Sequence, residues 1–150
     1  MQHESCRVPI TALAYVEDFL LAGEGPFLRV FRCSELLCTV RLFKSQSIHG
    51  VTSQRYAAQS RLLLVWGGRY VRAARFDTHS EHYVDLGPEL EVPDWLLDVA
   101  FQRPAPSLRA DFNARPVRFR AVAVTAHNSL LEICGISHEA QQDWNIGNQR

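Results

Sequence analysis

Residues 61–77 read RLLLVWGGRYVRAARFD: five apolar residues from Leu62 to Trp66, a glycine pair, then a second apolar run interrupted by arginines. An apolar run of that length, bounded by turn residues, reads as a strand covered on both faces rather than as a half-exposed strand with strict alternation. Gly67-Gly68-Arg69 reads as a tight hairpin turn, because glycine takes the positive φ such turns demand. The same grammar occurs at 19–33 (FLLAGEGPFLRVFRC) and at 119–134 (FRAVAVTAHNSLLEIC). Each of the three is preceded by a further short strand: ITALAYV (10–16), IHGV (48–51) and LLDVAF (96–101).

Working outward, the candidate strands are 10–16, 18–22, 27–32, 36–43, 62–66, 70–76, 97–101, 119–125 and 129–134. No long segment carries apolar residues at helical spacing. The turns at 23, 67 and 126 lie 44 and 59 residues apart. A propeller blade takes about 40–45 residues, so the first spacing fits one blade. The excess in the second falls on RPAPSLRADFNARP (103–116), whose three prolines exclude a central strand and mark a loop insertion. The expected fold is therefore all-β. It is a β-propeller read as about three four-stranded blades at 8–43, 48–92 and 94–134, the last lacking its fourth strand and followed by a polar tail at 135–150. Seven blades of this size need roughly 300 residues, so the chain is expected to be the N-terminal part of a longer propeller protein.

Composition narrows the function classes. The chain has 150 residues, 47% hydrophobic and 21% charged, an ordinary globular balance. Net charge is zero, unlike a free-standing nucleic-acid binder. The charge is nonetheless split: residues 1–75 hold ten basic and five acidic residues, and residues 76–150 hold six basic and eleven acidic. No apolar run approaches the roughly 20 residues of a membrane helix, and no membrane partner is expected. The opening MQHESCRVPI reads without the apolar core of a signal peptide, and four cysteines suit a reducing compartment, so a cytoplasmic location is expected.

Motifs for chemistry are sparse. Gly23-Glu24-Gly25 follows a strand, but Leu28 stands where a dinucleotide loop needs its third glycine, and a strand follows where a helix is required. The hairpin reading prevails for Gly23 and Gly25. Without βαβ units the chain offers no S-adenosylmethionine pocket of the doubly wound type, and no cofactor is expected. Cys33 and Cys38, with His79 and His82, have the residue types of a zinc site but no firm ligand spacing, and cysteines on strands read first as small buried apolar groups. No nucleophile elbow is present and no carboxylate pair stands out, so no catalytic site is expected. His49-Gly50 and Asp94-Trp95 open the second and third blades and read as residues tying adjacent strands. His127-Asn128 reads as a hairpin turn. Arg69, Arg72 and Arg75 lie on or beside one strand, with Arg69 and Arg75 on one face and Arg72 on the other. They are the candidate contacts to a nucleic-acid phosphate or to an acidic partner.

The strings PITALAYVEDFLLAGEGPFLRVF (9–31), IHGV (48–51), DWLLDVAF (94–101) and FRAVAVTAHNSLLEI (119–133) resemble the start of one WD-repeat family. This is the regulatory, non-catalytic subunit of the tRNA ribose 2′-O-methyltransferase that acts on the anticodon wobble nucleotide. The similarity runs through residues 8–134. It rests on the AGEGP turn, the IHG opening, the DW opening and the AHN turn taken in order. The Trp-Asp dipeptide of a typical blade is echoed only by Phe76-Asp77. The resemblance implies a non-enzymatic scaffold that binds the methyltransferase catalytic subunit and helps place the tRNA anticodon arm. The residue reading by itself supports equally a general WD-repeat protein-interaction scaffold unrelated to tRNA.

Overall fold

The computed structural model describes residues 8–56, 58–102, 117–137 and 142–149. Among them are thirteen strands and no helix. The strands are β1 (Ile10–Val16), β2 (Phe19–Glu24), β3 (Phe27–Arg32), β4 (Glu35–Arg41), β5 (Gly50–Arg55), β6 (Ser60–Gly67), β7 (Tyr70–Asp77), β8 (His82–Asp85), β9 (Leu90–Glu91), β10 (Leu96–Phe101), β11 (Val117–Thr125), β12 (Leu130–Ser137) and β13 (Gln142–Gln149). They form three antiparallel meanders, none closed into a barrel. Sheet A is β1-β2-β3-β4 and sheet B is β5-β6-β7-β8, with β9 also pairing β7. Sheet C is β10-β11-β12-β13.

The run Leu62–Trp66 explains how the sheets stack. Successive side chains on a strand point to opposite faces. Leu62, Leu64 and Trp66 enter one core together with Val71, Val99, Phe119, Ala121, Ala123, Leu131 and Ile133. Leu63 and Val65 enter the other with Phe19, Leu21, Leu28, Val30, Ile48 and Phe76. Sheet B is thus covered on both sides, by C and by A, as its apolar run requires. Each fully buried large side chain contributes about 1.5–3 kcal/mol. The opening strands lie together, with β5 against β1 on one side and β10 on the other.

One sequence expectation needs correcting. The third unit is not incomplete: β13 pairs with β12 from Leu130↔Gln149 to Ser137↔Gln142. The polar tail expected at 135–150 therefore supplies a strand, since the ladder asks only for main-chain groups. The fourth strand of the second unit, which the sequence left unplaced, is β8. It is short and polar, and it pairs with the end of β7. The insertion read at 103–116 lies outside the described residues.

Candidate functional site

The glycines, histidines, Asp94, Trp95 and Asn128 read as turn and entry residues converge on one end of the stack, where the hairpins β2–β3, β6–β7 and β11–β12 turn. Gly25 and Gly68 each hold φ of +57° at the first position of a two-residue turn, as a type II′ hairpin requires. Asn128 takes φ of 64° in the longer third turn. Gly23 lies on β2 against Ile48. Gly50 opens β5 directly under the indole of Trp66, where an added Cβ would stand 2.1 Å from Cζ2. No other residue fits there without moving the ring.

The segment that enters each sheet is tied to the turn of the sheet before it. The Ile48 amide donates to the Gly25 carbonyl at 2.8 Å, and the Leu96 amide donates to the Gly68 carbonyl at 2.9 Å. The entry is also tied to its own hairpin. The His49 amide donates to the Trp66 carbonyl at 2.8 Å, and the Gly68 amide approaches His49 Nδ1 at 3.4 Å. In sheet C, the Ala126 amide donates to the Trp95 carbonyl at 2.8 Å. The rings of His49 and Trp95 stack at 6.1 Å, and Trp95 remains half exposed.

Asp94 is the most heavily engaged of these residues. Its Oδ1 accepts from the Trp95 amide at 2.7 Å, and its Oδ2 accepts from the His127 amide at 2.9 Å. The His127 imidazole Nδ1 lies 2.8 Å from the same oxygen. Partial desolvation pushes the carboxyl's pKa up. The donors from His127, Trp95 and Thr125 outweigh that and hold it at about 2. His49, Asp94, Trp95 and His127 are therefore joined across sheets, and their present contacts are structural.

The arginines fare differently. Arg72 is committed internally: Nη1 donates to the Leu42 carbonyl at 2.7 Å, Nε to the Gly87 carbonyl at 3.1 Å, and Nη2 to Asp85 at 3.0 Å. Asp85 also accepts from the Tyr83 hydroxyl at 2.7 Å, and burial first, then that carboxylate, raises the Tyr83 pKa. Since Leu42 belongs to the segment leaving sheet A, Arg72 fastens sheet B to it. Arg69 is exposed, donates to the Val92 carbonyl at 3.2 Å and lies 3.7 Å from Glu91. Arg75 is half-buried on β7. The geometry does not bring the three guanidinium groups to one patch.

Sequence reasoning missed the Arg72–Asp85–Tyr83 group, because its partners lie on β8. It also missed the ties at the opposite end of the stack. There Arg61 pairs with Glu17, Arg32 with Glu81 at 2.8 Å, and the Gln54 side chain donates to the Gln102 carbonyl at 2.8 Å. Among the described residues no three His, Cys, Asp or Glu side chains cluster as metal ligands. Cys33, Cys38 and Cys134 are free thiols. A crevice between sheets B and C is lined by Leu64, Val71, Ala73, Pro88, Leu90 and Ile133 and offers no polar side chain.

The chain matches no protein-family profile and no curated protein.

Proposed function

We propose that the chain is the N-terminal part of a WD-repeat regulatory subunit that scaffolds a tRNA methyltransferase for ribose 2′-O-methylation of the anticodon wobble nucleotide. In this reading the three meanders are propeller blades. The catalytic residues and the methyl donor belong to the partner enzyme. The chain's work is to hold loops rigidly for the partner and for tRNA.

One observation carries the proposal. Parts of the four strings that resemble the family touch in chain order: AGEGP and AHN are hairpin turns of the first and third sheets, and IHG and DW open the second and third. AGEGP forms the first hairpin, and Ile48 of IHG binds its carbonyl. His49 of IHG stacks on Trp95 of DW, and Asp94 of DW caps the turn of AHN. These contacts support reading the four strings as one signature. Of the three arginines, Arg69 and Arg75 are the proposed tRNA or partner contacts, since Arg72 is occupied within the fold.

The test is mass spectrometry of wobble-nucleotide ribose methylation in cellular tRNA, with and without the gene. Loss of that methyl group with other tRNA methylations intact is the expected result. An unchanged level with the protein expressed in full would sink the reading and leave the general interaction scaffold.

A further inference from the structure

Sheet A packs one apolar face on sheet B and turns a second one outward. By register the outward face carries Ile10, Leu13, Tyr15, Leu20, Phe31 and Leu36. Ile10, Leu13, Tyr15 and Leu36 are between 46% and 73% exposed. Large apolar side chains exposed together on one face mark an interaction surface. The same register places the charged side chains Glu24, Arg29 and Arg41 on this face. Arg41 is engaged by the Phe43 and Lys44 carbonyls and by the Phe27 ring.

Sheets A and B turn their middle hairpins in two residues, so their positions correspond when counted from the turn. Leu13 and Leu20 of A stand where Val51 and Leu63 of B stand, and Arg29 stands where Arg72 stands. In B these positions make the seam with A. Val51 and Leu63 lie at the core shared with A. Arg72 donates to the Leu42 carbonyl at 2.7 Å, on the segment that leaves A. In sheet A the apolar counterparts face outward. Arg29 Nε is buried and makes no hydrogen bond among the described residues. Glu24 lies 3.0 Å from it, close enough to pair in charge but out of line for a hydrogen bond. Buried donors in folded proteins are almost always bonded, so this one marks a missing acceptor.

We infer that the outward face of sheet A is a seam of the same kind, taken by a further four-stranded sheet of the longer protein, with Arg29 clasping a main-chain carbonyl on the segment that leaves that sheet. The occupant follows from continuity with the A–B interface: the same face of the next sheet along, at the same positions, already receives a sheet in this way. The inference rests on reading the chain as part of a longer protein. It does not rest on the tRNA role, so the two fail separately. Lost wobble methylation with this face open sinks only the seam, and a covered face with methylation unchanged sinks only the tRNA role.

The experiment is iodoacetamide labelling of the full gene product carrying Tyr15→Cys, read at position 15 by mass spectrometry. Cys33, exposed in a turn at the far end of β3, is the reference within the same molecule. Leu13→Cys repeats the measurement at a second position, and circular dichroism and melting check that each variant folds. The expected result is labelling at position 15 about 30-fold or more slower than at Cys33. Adding Arg29→Met is expected to speed it about tenfold, because the clasp is lost. Labelling of both introduced thiols at the rate of Cys33 overturns the proposal. Protection that is lost on dilution, or when bound proteins are stripped off at high salt, also overturns it, since a second copy or a separate protein then covers the face. Protection that Arg29→Met leaves unchanged overturns the clasp.

Discussion

At the scale of single residues, backbone conformation and hydrogen bonding set the sharpest expectations. Cys33 and Ser34 form the two-residue turn between β3 and β4, with φ of 49° and 68°. Both values are left-handed, a type I′ turn that favours Asn-Gly, and neither residue present is suited to it. Replacing the pair by Asn-Gly is expected to stabilise the chain by about 1 kcal/mol, read as a higher urea midpoint at unchanged slope. Asp94 sets a pH dependence. Its carboxyl is held at about 2 in the fold, below the ordinary 3.8. A depressed carboxylate contributes stability that is present above its unfolded value and lost as pH falls through the folded one. The melting temperature of Asp94→Asn is therefore expected to lie below that of the parent chain at pH 5. The gap should close between pH 4 and pH 2, and a gap constant over that range would show that the charge plays no part.

At the scale of elements, what was legible in the sequence depended on which strands needed side chains to declare themselves. Strands β6 and β7 were readable because they lie inside their sheet and bury both faces, and β2 and β11 because they carry runs of apolar residues inside theirs. Strands β8 and β13 lie at sheet edges. Pairing there is a main-chain affair, and polar sequences such as HYVD and QDWNIGNQ carry no apolar period to betray it. The same cause hid the Arg72 site. Three arginines in a row suggested a basic surface, yet Arg72 is bound by Leu42, Gly87 and Asp85. These partners come from the segment after β4 and from β8 and the residues just beyond it. The first two hairpin turns were legible because glycine stands where φ is positive, and the third because Asn128 tolerates it. Arg72→Met, which keeps length but removes every donor, is expected to cost about 2 kcal/mol in chemical denaturation. It leaves Asp85 with Tyr83 as partner and two carbonyls without their donor. Arg69→Met, at an exposed position, should cost well under half of that.

At the scale of the whole molecule, sheet B belongs to two cores at once. Leu63 fills the one shared with A, and Leu64, its neighbour in the chain, fills the one shared with C. Either residue changed to Ala is expected to lower stability by about 2–5 kcal/mol. Because β6 cannot leave one core without leaving the other, both variants should still melt in a single transition. Calorimetric and van't Hoff enthalpies that agree would verify this, and a resolved second transition in Leu64→Ala would show that sheets A and B hold together without C.

The seams between sheets differ in their side chains. One end uses Arg61 with Glu17 between A and B, and Gln54 with Gln102 between B and C. The bond from entry amide to hairpin carbonyl is the same at both seams, and it is made of backbone alone. A joint built from peptide groups does not depend on which side chain the entry residue carries. Its donor is lost only if proline replaces the entry residue. A duplicated or deleted four-strand unit therefore arrives with its coupling intact, before selection has matched a single side chain across the new boundary. In such a chain, length is the property that varies most cheaply over evolutionary time, while the geometry of each join is inherited.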